Sequence, residues 1–351
     1  MPTFDKETKQ LVNAARKLGG KGIPIYLEDG ELMRLCAVVA TDLRKADLVK
    51  AVAAPDELSK GYYGTALNWF TNPVKATTTF VDLFLNLRSQ IEDFATYFKC
   101  LCELHKRRRK YERILEVQAI PKMETIVPRC LLEYGMRPNE TLASWLVWRK
   151  WLYDIDNRSA QETGYLFEPI LTAALGGTSY SHKKSPIKRA SDPTKGRQVD
   201  CVEEKTAYEF KMRVTIAASG QGRFKEELDF AKDCKSSGYT PVLLVLDPTP
   251  SVRLDDLSAE FRQYGGTAHI GLDAWRHIEE KAGAVMGHFV ERYVRLPLAE
   301  VDGSYKKLQP LSITDNGLTI TAKLGDQEFQ IARVRPEEQI EDLEEDDEDE
   351  R

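Results

Sequence analysis

What this chain lacks narrows it first. It has no apolar run of about 18 residues or more, the length a membrane-crossing helix needs. Its first residues, MPTFDKETKQ, carry no apolar core of the kind a secretory leader uses, so a cytoplasmic protein is expected. The six cysteines (Cys36, Cys100, Cys102, Cys130, Cys201, Cys234) are scattered, with no CxxC pair and no zinc-like cluster. They fit a reducing compartment better than a disulfide framework. The five histidines form neither HxH nor HExxH, which removes the common zinc hydrolase patterns. No glycine-rich phosphate loop of the Walker type is present, so no nucleotide cofactor is expected.

What is present is ordinary in bulk and uneven in distribution. Of 351 residues, 42% are hydrophobic, enough to bury a sizeable core in two domains or one large one. The net charge of −5 hides an asymmetry. The segment from Glu337 to Arg351 holds eleven acids and one arginine, −10 in all, which leaves +5 on residues 1–336. That tail reads as a disordered, solubilising segment. A mildly basic body is compatible with a polyanionic partner.

The first 157 residues read as a helical region. From Thr77 to Val117 the apolar positions Phe80, Phe84, Leu87, Ile91, Phe94, Phe98, Leu101 and Leu104 recur mostly at spacings of three and four. HKRRRKYER closes that segment, where cations suit a helix C-terminus and a DNA backbone alike. Trp145, Trp148 and Trp151 repeat every three residues, a stripe for core or dimer packing. From residue 158 to 300 strands and helices alternate: a helix SAQETGYLFEPILTAAL, a hairpin near 197–217, then YTPVLLVLD, whose continuous apolar run marks a strand buried on both faces. The expected architecture is α/β, a mixed central sheet flanked by helices, with a helical N-terminal region. Residues 301–335 suggest a C-terminal β-hairpin turning at Gly325-Asp326, and 336–351 the acidic tail.

The chemistry concentrates in GRQVDCVEEKTAYEFKMR, residues 196–213. Alternation along a strand puts Tyr208, Phe210, Met212, Val214 and Ile216 on one face and Glu209, Lys211, Arg213 and Thr215 on the other. Glu203, Glu204 and Lys205 fall in the turn, and the hairpin brings Asp200 beside Glu209. Two adjacent carboxylates repel unless a cation lies between them, and hard oxygen donors without histidine or thiolate favour Mg²⁺. The same charges also suit a solvent-facing hairpin with cross-strand ion pairs.

A helix bearing Gly164, Phe167 and Glu168, then Asp200, then Glu209-Phe210-Lys211, resembles the PD-(D/E)xK nuclease superfamily. The resemblance spans about residues 159–250, with Val199 where a proline is usual. EFKMRVTIAASGQGRFKEEL followed by PVLLVLDPTPSVRL is similar to the ApaLI-like group of type II restriction endonucleases. The resemblance implies a Mg²⁺-dependent, sequence-specific double-stranded DNA endonuclease. In it Asp200 and Glu209 are metal ligands, Lys211 orients water, and Glu168 is an additional acid near the metal. Glu162 competes for that last role but reads as the end of a capping box, SAQE.

Candidate DNA contacts are Lys183, Lys184, Lys188, Arg189, Lys195 and Arg197 in the loop just before the acidic strand, with Gln221 and Arg223 just after it. Glu226 and Glu227 read as ordinary acids of a helix's first turn. A homodimer is expected, since two related active sites cut both strands of a palindrome most simply. The alternatives are a repair, recombination or modification-dependent nuclease of the same superfamily, and a non-catalytic DNA-binding or scaffold protein.

Overall fold

The computed structural model describes residues 3–19, 23–212, 221–247, 249–304 and 309–334, leaving aside the side chains of 55–56 and 221–223. The acidic tail, the strand continuation from Arg213 to Ile216, and the side chains of Gln221 and Arg223 lie outside the described residues. Among the described residues no helix is long and apolar enough to cross a membrane.

The N-terminal region is helical. Helices α1 (Lys6–Arg16), α2 (Asp29–Asp42), α3 (Phe80–Gln90) and α4 (Phe94–Val117) carry most of it. Helix α2 is apolar nearly all round, and every residue from Glu31 to Ala40 is buried, as a central helix requires. The periodic segment from Thr77 onward divides at Asp93, which takes a left-handed conformation (φ 51°) before α4 begins. The break folds α4 back so that Phe84 meets Phe94 and Phe98 at ring separations of 5.4 and 5.3 Å.

Helix α5 (Asn139–Ala174) is a single span of 36 residues, about 54 Å at 1.5 Å per residue. The expected helix at SAQETGYLFEPILTAAL is therefore its C-terminal half, and the expected division at residue 157/158 falls inside it. Pro169 sits within the helix and does not end it. One end of α5 packs Leu142 and Leu146 on Ile126. Its middle packs Trp151 on Ile320 and Ile331, with Trp148 alongside. Trp151 is thus core, whereas Trp145 is exposed between Arg137 and Arg149. The C-terminal turns place Ile170, Leu171 and Ala174 in the main core.

A five-stranded sheet follows: β1 (Thr178–Tyr180), β2 (Val199–Glu203), β3 (Thr206–Lys211), β4 (Thr240–Val245) and β5 (Thr267–Ile270), in that spatial order. The pairs β1/β2 and β2/β3 are antiparallel, and β3/β4 and β4/β5 parallel, the expected mixed sheet. Parallel neighbours need crossovers, supplied by α6 (Gln221–Ser236) and α7 (Val252–Gln263). Strand β4 buries Val242 and Leu244 toward the main core and Leu243 and Val245 toward α6 and α7, so both faces are covered. The β2–β3 turn is Glu204-Lys205 alone, with Glu204 left-handed (φ 49°); Glu203, expected in the turn, pairs with Thr206 inside the ladder.

The C-terminal segment is a three-stranded meander rather than a hairpin: β6 (Leu311–Asp315), β7 (Thr319–Leu324) and β8 (Gln327–Ala332). Gly325-Asp326 makes its second turn as expected, with Gly325 at positive φ as a tight two-residue hairpin demands. The first strand supplies Ile313 to the tryptophan cluster.

Candidate active site

The register that pairs Cys201 with Tyr208 and Val202 with Ala207 carries Asp200 alongside Glu209. Asp200 Oδ2 accepts a hydrogen bond of 2.7 Å from the Phe210 backbone N–H, which fixes its carboxylate against β3. Thr172, one turn beyond Glu168 on α5, donates its hydroxyl to the Asp200 carbonyl at 3.0 Å. The long helix is thereby pinned to the acidic strand, and the Glu168 charge reaches Asp200. Burial, then Glu209, then Glu168 push the Asp200 carboxyl well above the ordinary carboxylate range, against the Phe210 N–H and Lys211. The structure therefore brings Asp200, Glu209, Lys211 and Glu168 together.

Lys211 lies between two acids. Its Nζ is 2.9 Å from Glu209 Oε1 and 3.2 Å from Glu227 Oε1. Burial opposes its charge, but Glu209, Glu227 and Asp200 outweigh burial and raise its pKa. A lysine so held is an ammonium at neutral pH: it can donate hydrogen bonds and offset negative charge, but it cannot take a proton.

Glu227 was expected to be an ordinary helix acid, yet it reaches the site from α6. The signal for it is periodic: Glu227 shares a stripe with Phe230, Ala231 and Cys234, all buried against the sheet. Its neighbour Glu226 turns the other way, to Arg189 at 2.9 Å.

The basic segments come out differently. Lys183, Lys184, Lys188 and Lys195 are exposed, with Lys195 3.3 Å from Asp192. Arg189 is half-buried on Glu226. Arg197 departs from the expectation of a DNA contact: it is buried, 2.8 Å from Asp233 Oδ2, and donates to the Glu226 carbonyl, because it straps the loop to α6.

KRRRK lies in the second half of α4, which ends at Val117 as expected. Its five cations are drawn into the fold. Lys106 is buried and donates to the carbonyls of Ala14 and Lys17 at 2.7 and 2.9 Å, and to Glu103 at 2.6 Å. Arg107 and Lys110 hold Glu162 at 2.7 and 2.8 Å. Arg108 lies over Tyr62 and Tyr63, and Arg109 is 2.7 Å from Glu31. Glu162 is thus no capping residue; it sits mid-helix and joins α5 to α4.

A cavity of about 590 Å³, lined by Tyr26, Glu31, Asn72, Pro73 and Arg109 among others, belongs to the N-terminal helices and contains none of the acids on the sheet.

Among the described residues no three Asp, Glu, His or Cys side chains already form a cage for a metal ion. The donors nonetheless fit a hard divalent cation: they are carboxylate oxygens, mutually repelling at Asp200, with the Lys211 ammonium beside Glu209 and Glu227.

A model of the ApaLI-like restriction endonuclease family matches residues 69–295, from the N-terminal helices through the whole sheet. A type II restriction enzyme, ApaLI of Acetobacter pasteurianus, is 50% identical over 331 residues, covering 88% of each chain. No solved structure matches the chain.

Proposed function

Because the chain belongs to the ApaLI-like restriction endonuclease family, we propose that Asp200, Glu209, Glu168 and Lys211 are the catalytic centre of a Mg²⁺-dependent enzyme that cuts double-stranded DNA at a specific sequence. The chain is a type II restriction enzyme, a site-specific deoxyribonuclease. The observation that carries the site assignment is the clustering of carboxylates about Asp200 with one lysine beside them.

Asp200 and Glu209, with Glu168 approaching from α5, would hold the cation. A Mg²⁺ ion held by these residues would supply a lowered pKa for a water and polarisation of a phosphoryl oxygen. The chain's own residues do the positioning. Phe210 N–H keeps the Asp200 carboxylate facing Glu209, and Thr172 keeps Glu168's helix on the same strand. Lys211 presents donors to the attacking oxygen and offsets charge on the phosphate as one P–O bond forms and another breaks. Its place between Glu209 and Glu227 suits it to act as a cation there. The exposed lysines Lys183, Lys184 and Lys188 lie in the segment leading to β2, Lys188 in a short strand that pairs with Asp192–Gly196, where DNA phosphates would be gripped. A homodimer working in the cytoplasm suits two-strand cleavage of a palindrome.

The test is direct. Plasmid DNA should give discrete fragments with Mg²⁺ and remain intact in EDTA, and Lys211→Ala should slow cutting by a factor on the order of 10³, leaving a measurable residual rate, while DNA binding persists. A smear would point to a non-specific nuclease, and undiminished cutting by Lys211→Ala would remove the lysine from the site.

A further inference from the structure

Resting on that catalytic reading, we propose that Glu227 is a positioning residue for Lys211. It keeps the ammonium in place when Glu209 turns to the metal.

Glu209 faces two demands. It accepts Lys211 at 2.9 Å, and it is one of the carboxylates that would ligate the cation. A lysine anchored by Glu209 alone would compete with the metal for that carboxylate, or swing away once the metal arrived. A four-carbon stem has ample rotamer freedom to do so. Glu227 removes the conflict by offering a second acceptor, 3.2 Å from Nζ, on a different element.

That element is itself well fixed. Helix α6 packs Phe230, Ala231 and Cys234 into the core beneath the sheet. The segment before β2, which includes the short hairpin of Lys188–Arg189 and Asp192–Gly196, ties to it twice, through Arg197 on Asp233 and Arg189 on Glu226. Adjacent acids thus divide the work: Glu226 secures the basic loop, and Glu227 aims the lysine. A supporting residue on a rigid helix is what a reactive side chain needs to stay within a fraction of an ångström of its working position.

The test is a double-mutant cycle in the full-length chain with Glu227→Gln, Lys211→Ala and the pair. Glu227→Gln should slow single-turnover cutting about 10- to 100-fold, the usual cost of losing a residue that orients an active group. It should also raise the Mg²⁺ concentration for half-maximal rate, because Lys211 then leans on Glu209. DNA affinity measured in EDTA should change less than about twofold. In the Lys211→Ala background the same substitution should cost nothing further, since residues acting through one another are not additive. The melting temperatures of the four metal-free proteins should be non-additive as well, a readout that needs no cleavage. A full additional loss of rate in the Lys211→Ala background overturns the proposal, because Glu227 would then act independently, for instance as a metal ligand. Unchanged cutting by Glu227→Gln overturns it too. Should that variant fold poorly, Glu227→Asp takes its place in the cycle with the same criteria. If the wild-type chain itself fails to cut with Mg²⁺, the catalytic reading fails instead.

Discussion

Among the described residues, a charged cluster in the N-terminal helices and a half-buried one on the sheet are balanced in opposite ways. In the first, each acid has its cations: Glu162 meets Arg107 and Lys110, and Glu31 meets Arg109 and stands 3.5 Å from His105. Burial drives the Glu31 carboxyl up, but His105, the Glu28 N–H and Arg109 more than compensate and hold it below its ordinary value. In the second, Lys211 lies between Glu209 and Glu227, and burial, Glu209 and Glu168 push Asp200 up. A matched network is satisfied by the fold. In the proposed catalytic centre the clustered carboxylates would also suit a cation from outside.

The comparison breaks most visibly at Asp200. Asp200→Asn should lower cutting by a factor on the order of 10³, as losing a central electrostatic group does. It should leave the melting temperature unchanged or raise it, because an amide still accepts the Phe210 N–H and ends the repulsion. A matching loss of melting temperature would refute the imbalance. The opposite split is expected at Glu162. Glu162→Gln strands two partly buried cations and should cost about 3 kcal/mol in denaturant unfolding, while each folded molecule cuts DNA as before.

The smallest effect is a pH dependence. Buried His105 has its pKa lowered by desolvation, with Arg109 and Arg108 adding to this and Glu31 opposing it. The unfolded chain therefore binds the proton first as pH falls. Its stabilising share is complete above about 6.5, the unfolded value, and is lost as pH drops toward the folded one. His105→Gln should flatten that part of the melting-temperature profile. Glu31 titrates in the lower carboxylate window, so the difference between wild type and variant isolates the histidine.

The legible parts of this protein were those with a short period. Alternation along β3 put Glu209 and Lys211 on a common face and the hairpin brought Asp200 from β2 beside Glu209, while Glu168 entered with the family resemblance. The apolar run at YTPVLLVLD read correctly as a strand covered on both sides. The misreadings came where a residue's partner lies far along the chain. Glu162 looks like a cap because SAQE is local, whereas Arg107 is 55 residues away. Arg197 looks like a free loop cation until Asp233, 36 residues on, is seen to hold it. KRRRK looks like a DNA grip because a sequence shows charge without showing that Ala14, Glu31, Glu162 and two tyrosines surround it.

The sequence alone determined the strand pair and which acids it presents, because a pleat of period two admits one sorting of faces. Only the tertiary structure decided how the other charges are used. A charged side chain is stable wherever water or a counter-charge meets it, and the local sequence does not reveal which. Packing α5 on α4 turned Glu162 into a clasp, packing α6 under the sheet turned Glu227 toward Lys211, and the loop's return to α6 removed Arg197 from the surface.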